Sequence, residues 1–429
     1  MAENELTVLD SGVRVVTEAM PAVRSVTLGF WIATGSANET EADAGLSHLV
    51  EHMLFRGTDR YGSLEIDQMF DAMGAELNAG TSKENTSVYA RVIDEHVPQA
   101  FDVVADMVWH PRMQESDLAN EREIVLEEIA MYEDEPQELV FDAIGEAVFG
   151  DHPLGRAVIG RADVIAGTSA EGLARFHAEH YAPADIVIAA AGSLEHEAIV
   201  ELAQAIDIPQ RPPGPRVPHV PSQLPPRLRF LRKDTEQYHL TLGAPGPARN
   251  DDQRFAARVL DNIVGGTSSS RLFQEVREHR GLAYSVYSFQ ALFAGVGQLG
   301  IYLGTRPDNV VAALKVVADE LTRLREDGVT PEELERSKEN VKGRIVLSLE
   351  STASRMNRLG LAVLGDLPLL TIDEVVELLD GVTIDEVNSL LRERLAPERL
   401  SAAGVGPDED VFRAAIEPVA PDLVAGAVA

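Results

Sequence analysis

Two histidines and one glutamate lie close together in the segment 44–55, and their spacing could support metal chemistry. In a helix, residues three and four positions apart share one face, so His48, Glu51 and His52 would point the same way. Apolar residues at positions 46, 49, 50, 53 and 54 would bury the opposite face. Two imidazoles one turn apart can hold one metal ion, and the carboxylate between them is placed to take a proton from water. The alternative is a helix whose histidines form only ordinary hydrogen bonds.

A third metal ligand is needed, and the charged segment 120–135 offers candidates. A catalytic zinc site commonly combines two histidines with one carboxylate and keeps one position open. Glu121 and Glu128 are seven residues apart, so they would share one face of a helix, whereas Glu127 would face elsewhere. The alternative for these glutamates is a solvated acidic surface.

The composition limits the classes of function. The chain has 429 residues, a formal net charge of −33 and no cysteine. It would repel nucleic acid, and any metal site must use histidine and carboxylate. The N-terminal residues do not resemble a signal peptide and no apolar run is long enough to cross a membrane, so we expect no membrane insertion and a cytoplasmic location. Both adaptation to salt and a functional role would explain the acidity.

Hydrophobic periodicity and turn residues predict elements that would position these residues. We expect a helix capped by Ser63 and ending at Gly74, and a buried strand over 185–191. Further strands are predicted at 13–17, 25–33 and 86–92, and further helices at 94–109, 115–131, 137–149 and 169–180.

The chain also carries signs of an internal duplication. The motif at 150–154 (GDHPL) matches that at 365–369 (GDLPL), and further matches recur at offsets of 214 or 215. A proline-rich segment separates the copies. We therefore predict an α+β fold of two duplicated layered domains, residues 1–210 and 227–429, joined by a linker over 211–226.

The second copy lacks the histidines. Arg258-Val-Leu-Asp-Asn-Ile263 stands near the place of the first motif, and an offset of 216 sets Arg344 opposite Glu128. Because only the first copy keeps the motif residues, we expect the first half to carry the catalytic site and the second half to shape the chamber around it. We predict a catalytic zinc-binding first domain and a non-catalytic second domain that contributes to substrate binding.

The combination of H-x-x-E-H with a Glu-x6-Glu pair about 75 residues later resembles the pitrilysin/insulinase family of zinc metallopeptidases, also called inverzincins. It is especially similar to bacterial members that resemble the mitochondrial processing peptidase. The resemblance implies that His48, His52 and Glu128 bind Zn²⁺, that Glu51 is the general base, and that Glu121 supports the site from outside the ligand set.

The resemblance also implies substrate-binding residues. Arg277 and Tyr284, seven apart, match a family pair that holds the substrate, although ordinary packing and a surface salt bridge would also explain them. Glu138 and Asp142 match a pair that receives an arginine near the cleaved bond; the alternative is a charged helix face. Asn78 and Ala79 match an edge strand that pairs with the substrate, and Phe55 matches a residue lining the pocket beyond the cleaved bond.

These observations predict a zinc-dependent endopeptidase that cleaves short or unfolded peptides, with a preference for basic residues near the cut. The family encloses substrates in a clam-shell chamber of four such domains, so the resemblance implies a homodimer or a heterodimer with a related subunit. The alternative is a catalytically silent structural subunit of a peptidase complex, and a zinc hydrolase of another substrate is a third reading.

Overall fold

A computed structural model of the chain describes residues 4–220 and 224–426. The strands in this part of the chain are β1 (Asn4–Val8), β2 (Arg14–Ala19), β3 (Ser25–Ile32), β4 (Glu76–Thr81), β5 (Thr86–Ile93), β6 (Ile186–Gly192), β7 (Leu228–Arg232), β8 (Tyr238–Gly246), β9 (Ser285–Leu292), β10 (Gly297–Thr305) and β11 (Ser401–Gly406).

The α-helices are α1 (Leu46–Leu54), α2 (Ser63–Met73), α3 (Val97–Trp109), α4 (Glu115–Glu133), α5 (Pro136–Phe149), α6 (Ala162–Gly167), α7 (Ala170–His180), α8 (His196–Ala205), α9 (Gln253–Val264), α10 (Val310–Asp327), α11 (Pro331–Ser348), α12 (Thr352–Leu364), α13 (Ile372–Asp380), α14 (Ile384–Arg394), α15 (Glu409–Ile416) and α16 (Pro421–Gly426). A π-helix spans Phe273–Glu278. Within the described residues, no helix combines the length and apolarity needed to span a lipid bilayer.

The predicted α+β class is confirmed. The strands form a six-stranded sheet in the order β1-β2-β6-β3-β5-β4 and a five-stranded sheet in the order β7-β11-β8-β10-β9. The last five strands of the first sheet and the five of the second share one order, and in each set only the first pair is parallel. This agreement supports the internal duplication that the sequence motifs indicate.

The chain forms two compact units. The first comprises residues 1–130, 157–217 and 347–369, and the second comprises 131–156, 218–346 and 370–429. Helix α5, from the first half of the sequence, therefore packs in the second unit, where it covers β11, β8 and β7. Helix α12, from the second half, covers β6, β3 and β2 in the first unit. The division at the proline-rich segment stays a prediction, and the packing adds that each half contributes one helix to the other unit.

Glycines on the sheets allow these two helices to approach closely. On β3, a Cβ at Gly29 would lie 2.9 Å from Met356 Sδ of α12. On β8, a Cβ at Gly243 would lie 2.8 Å from Ile144 Cγ1 of α5. The two glycines are 243 − 29 = 214 residues apart, which is the offset of the sequence repeat. Each copy therefore keeps the same recess for a helix from the other half.

The core of the first unit follows from the alternation along β3. Val26, Leu28, Phe30 and Ile32 face a core that helices α1 and α3 complete, whereas Trp31 faces α12. Because both faces of the sheet are covered, seven of the eight residues of β3 are buried. The strand thus shares one hydrophobic core with α1, the helix that carries the two histidines.

The predicted elements of the first half are confirmed, and their ends agree with the structure to within three residues. One detail was wrong: Gly62, not Ser63, is the N-cap of α2, because Ser63 is already helical and its hydroxyl donates to Phe55 O at 2.8 Å. Gly74 ends that helix in the left-handed conformation, as predicted.

Candidate metal centre

Helix α1 carries the predicted motif and is fixed at its N-terminus by a buried carboxylate. Glu39 Oε2 accepts a hydrogen bond from Gly45 N at 2.8 Å, and Glu39 Oε1 accepts one from Ser47 N at 2.7 Å. These bonds satisfy amides that have no partner inside the helix and place negative charge at its positive end. Gly45 has φ of +100°, a conformation that favours glycine. The histidines that follow are therefore held on a well-anchored helix.

The two histidines lie side by side on one face of α1, as the spacing predicts. Their ring centroids are 4.7 Å apart and their planes are nearly perpendicular. Glu128, on α4, places Oε2 3.6 Å from His52 Nε2 and 3.8 Å from His48 Nε2. One potential ligand atom from each of the three residues lies within 4.8 Å of the other two. The structure thus brings together the three residues that the sequence analysis selected as metal ligands.

Glu121 orients one of the histidines. Its Oε2 lies 3.0 Å from His52 Nδ1, and its Oε1 forms an ion pair with Arg56. A carboxylate partner favours the proton on Nδ1, which leaves the Nε2 lone pair directed toward Glu128. Glu121 is buried, so this interaction is shielded from solvent. Glu121 therefore contacts His52 through Nδ1 and lies outside the group formed by His48, His52 and Glu128.

The two histidines differ in their electrostatics. Burial lowers the pKa of His48 to about 4, and the neighbouring His52 contributes to the decrease. Burial also acts to lower the pKa of His52, but the hydrogen bond and charge of Glu121, with the charges of Glu128 and Glu51, raise it above its ordinary value. His48 is accordingly neutral at neutral pH. The carboxylates around His52, in contrast, stabilise a positive charge on its ring, such as a proton, or a bound cation.

Glu51 lies between the histidines in sequence and is held by the neighbouring edge strand. Its Oε2 accepts a hydrogen bond from Thr81 Oγ1 on β4 at 2.5 Å. Burial raises the pKa of Glu51, although the Thr81 bond and the charge of His52 act in the opposite direction. Burial thus makes this carboxylate a better proton acceptor than an exposed glutamate.

Strand β4 forms one edge of the first sheet, and among the described strands it pairs only with β5. Asn78 is exposed and Ala79 is half-buried on this strand. Phe55 is half-buried at the C-terminal end of α1. The structure therefore places these three predicted binding residues in the same unit as the histidines, on elements adjacent to the motif.

The other predicted binding residues belong to the second unit. Arg277 Nη1 donates a hydrogen bond to Tyr284 O at 2.9 Å, and its guanidinium stacks 4.4 Å from the centre of the Tyr284 ring. Tyr284 is 76% exposed, which is unusual for a large aromatic side chain. Glu138 and Asp142 lie one turn apart on α5, and Glu138 is exposed.

Sequence reasoning missed two partners of the site. Arg56 follows His52 by four residues and pairs with Glu121, a spacing that could have been noticed. Thr81 ends the edge-strand segment, but its bond to Glu51 depends on how β4 packs beside α1. Only the tertiary structure reveals that contact.

The donor set fits a divalent metal such as zinc. It comprises two imidazoles and one carboxylate, which match the ligand types of catalytic zinc sites. His52 has its Nδ1 engaged, and the buried Nδ1 of His48 has no hydrogen-bond partner among the described residues. Few competing contacts would need to break for both histidines to serve as ligands.

Comparisons with models of protein families give matches in both halves of the chain. A family model described as "Insulinase (Peptidase family M16)" matches residues 14–162, and one described as "Peptidase M16 inactive domain" matches residues 168–341. The chain belongs to peptidase family M16, which confirms the resemblance to the pitrilysin/insulinase family.

Two relatives that match nearly the full length of this chain are named as proteases. A protein of Streptomyces coelicolor named an uncharacterized zinc protease is 42% identical over 412 residues, which cover 94% of this chain and 90% of the relative. A Bacillus subtilis protein with the same description is 40% identical over 386 residues, covering 89% and 93%.

Solved structures show the same fold. A protease from Helicobacter pylori superposes with a TM-score of 0.90 at 20% identity, covering 95% of this chain and 100% of that one. A structure from Pseudomonas fluorescens titled as a peptidase M16 inactive domain gives a TM-score of 0.87 at 24% identity, covering 95% and 98%.

Proposed function

We propose that this chain is a zinc-dependent endopeptidase that cleaves short or unfolded peptides. The observation that carries the proposal is the convergence of His48, His52 and Glu128, whose potential ligand atoms lie within 4.8 Å of one another. The intact set of donors favours this function over a catalytically silent subunit, because such a subunit has no need to preserve all three ligands and the neighbouring carboxyl of Glu51.

We assign the metal ligands to His48 and His52 through Nε2 and to Glu128 through its carboxylate. Zinc in such a site supplies Lewis acidity, which polarises a carbonyl oxygen and makes water more acidic. Glu121 holds the Nδ1 proton of His52 and so fixes the ring that must present Nε2. Glu121 is in this account a positioning residue, since it acts through His52.

Glu51 is the general base. Its carboxylate removes a proton from the attacking water and then passes that proton to the nitrogen of the leaving amine. Because burial raises the pKa of Glu51, its carboxylate accepts a proton more readily than that of an exposed glutamate. Thr81 donates to Oε2 and thereby keeps the carboxylate in one orientation.

Peptide binding uses the free edge of β4. An extended peptide can pair with an exposed strand through main-chain hydrogen bonds, which demand little of the peptide's sequence. We assign Asn78 and Ala79 to this contact and Phe55 to the pocket beyond the cleaved bond.

The second unit would supply further contacts to the substrate. We assign Arg277 and Tyr284 to holding the peptide, and the carboxylates of Glu138 and Asp142 to a preference for basic residues near the cut. The exposure of Tyr284 and its stacking with Arg277 support the first assignment. From the sequence resemblance to processing peptidases, we infer a clam-shell chamber formed by pairing of this chain with a second copy or a related subunit.

A fluorogenic peptide digest tests the proposal. Cleavage should disappear with a chelator and return when Zn²⁺ is added back. Glu51→Gln should reduce cleavage by about 100-fold or more while zinc remains bound. Glu127→Gln is the matched control, because Glu127 is exposed beside Glu128. Cleavage that persists in the chelator, or that is unchanged in Glu51→Gln, would contradict the assignment.

A further inference from the structure

The second unit contains a counterpart of the metal centre in which every ligand position has changed. Helix α9 follows β8 as α1 follows β3, and α11 follows α10 as α4 follows α3. At an offset of 210, Arg258, Asp261 and Asn262 stand where the first half has His48, Glu51 and His52, and Arg344 stands opposite Glu128 at an offset of 216.

The hydrogen bond between the central acidic residue and the edge strand is retained in the second unit. Asp261 Oδ1 accepts a hydrogen bond from Ser288 Oγ at 2.6 Å, and Ser288 lies on β9, the edge strand of the second sheet. In the first unit, Glu51 accepts the equivalent bond from Thr81 on the edge strand β4. The counterpart thus keeps the geometry of an acid beside an edge strand, while the residues around it have become cationic or neutral.

These residues cannot form a metal site, since two arginines replace two metal ligands. Both guanidinium groups are exposed, and within the described part of the chain neither forms a hydrogen bond or a salt bridge. Burial raises the pKa of Asp261, and the hydrogen bond from Ser288 and the charges of the two arginines act in the opposite direction. The guanidinium groups of Arg258 and Arg344 can therefore donate hydrogen bonds to a ligand, because no group in the described residues accepts from them.

A cavity of about 350 Å³ lies at this position. Arg258, Asp261, Asn262, Ser288, Gln290 and Arg344 contribute to its lining. The loop at its end approaches β9 closely, because a Cβ at Gly265 would lie 2.2 Å from Ser288 N. The buried Oε1 of Gln290 has no hydrogen-bond partner in the described residues, so an acceptor is available beside the two cationic donors.

This cavity continues into the binding surface proposed above. It shares Gly265, Gly266 and Tyr287 with the cavity that Arg277 and Tyr284 line. A peptide held by Arg277 and Tyr284 would therefore have a second, positively charged recess within reach. Guanidinium groups bind carboxylates through paired hydrogen bonds, and a peptide that enters beside β9 also offers N–H groups to Gln290.

We propose that the recess between α9, α11 and β9 binds a carboxylate group of a peptide, with Arg258 and Arg344 as its cationic contacts. The carboxylate is either the C-terminus of the peptide or an acidic side chain. The proposal rests on the proposed function only in taking the ligand to be a peptide.

Fluorescence anisotropy with short peptides carrying an uncharged dye tests this site. The first pair of peptides differs only at the C-terminus, as free acid or amide. The second pair is amidated and differs by Glu or Gln at one internal position. Binding is measured with full-length Glu51→Gln protein, with and without Arg258→Gln or Arg344→Gln. Arg336→Gln is the matched control, because Arg336 is exposed on α11 and does not line the cavity.

We expect the carboxylate member of at least one pair to bind about three- to tenfold more tightly than its neutral partner. Each cavity variant should remove most of that difference, and the Arg336 variant should retain it. Preference in the first pair would identify the C-terminus, and preference in the second an acidic side chain.

Equal binding within both pairs would overturn the proposal. So would a preference that both arginine variants retain, or an equal loss of affinity for all four peptides, which indicates a structural role. Because binding is measured without cleavage, this result is independent of the digest that tests the peptidase function.

Discussion

The hydrogen bond between His52 Nδ1 and Glu121 links the candidate metal centre to the interior of the protein. We predict that Glu121→Gln lowers zinc affinity by about 10- to 100-fold, because the carboxylate both orients the ring and increases its basicity. Competition with a chromophoric chelator measures the change. Glu123→Gln is the control, since Glu123 is exposed on the same helix. Equal affinities of the two variants would show that Glu121 does not support the ligand.

Residues of the site differ in how far sequence could predict them. His48, Glu51 and His52 follow from local spacing, because a helix brings positions three and four apart together wherever it lies. The choice of Glu128 required the family resemblance, since many acidic residues lie on α4. The partner Thr81 was not predictable, because its contact depends on the packing of β4 against α1.

A buried histidine on α7 makes the stability depend on pH. His177 Nε2 lies 2.9 Å from Val108 O, and burial lowers the pKa of His177 to about 3 from an ordinary value of 6.5. Between these values the unfolded chain binds a proton that the folded chain does not. The free energy of unfolding should therefore fall as pH decreases from 6.5, by about 2 kcal/mol at pH 5 for this group.

The test compares the unfolding free energies of the protein and of His177→Gln at pH 7 and pH 5. Glutamine retains a donor for Val108 O but does not titrate. The variant should lose about 2 kcal/mol less than the parent over this range. The same pH dependence in both proteins would mean that His177 is not the group responsible.

Helices α5 and α12 each pack on the sheet of the other half of the sequence, and the contact of α12 with β3 can be tested. A Cβ at Gly360 of α12 would lie 2.3 Å from Trp31 Nε1, and Trp31 is buried and cannot move aside easily. We predict that Gly360→Ala lowers the unfolding free energy by about 1–3 kcal/mol.

Gly343→Ala on α11 is the opposite case, because no atom lies within 4 Å of the added Cβ. It should raise the unfolding free energy by about 0.5–1 kcal/mol through helix propensity. Urea titrations measure both values. Two variants of equal stability would contradict the close packing of α12 on β3.

The sequence predicted helix α5 but not the sheet on which it packs, and helix α12 was not predicted. Periodicity shows that α5 has an apolar face, yet both sheets offer an apolar surface to it. The choice depends on which sheet carries the matching recess, such as Gly243 beside Ile144. The match between a helix and a sheet depends on the tertiary structure, so it cannot be predicted from the residue pattern of the helix alone.

At the scale of the whole molecule, the exchange of helices should make the halves of the sequence dependent on each other. Residues 1–217 alone lack α12, so the face of the first sheet around Trp31 and Val187 would be exposed. We predict that this fragment aggregates or unfolds without a cooperative transition, and that coexpression with residues 218–429 restores a folded complex. Size-exclusion chromatography and circular dichroism test this. A monomeric fragment with cooperative unfolding would contradict it.

The duplicated topology also indicates how the two halves diverged. The strand order and the acid beside the edge strand are shared, as Glu51 with Thr81 and Asp261 with Ser288 show. The groups around this acid are not shared, because the proposed ligands His48, His52 and Glu128 correspond to Arg258, Asn262 and Arg344. The fold thus keeps an acid beside an edge strand in both copies, while the proposals for the two sites differ in the charge of the ligand, a metal cation in one and a carboxylate in the other.

Metal content tests the central claim most directly. The parent and the variants His48→Ala, His52→Ala, Glu128→Gln and Glu51→Gln would be loaded with Zn²⁺, dialysed and analysed by mass spectrometry. We predict about one zinc ion per chain for the parent and for Glu51→Gln, and strongly reduced zinc for the other three. Full zinc content in Glu128→Gln, or loss of zinc in Glu51→Gln, would contradict the assignment of ligands and base.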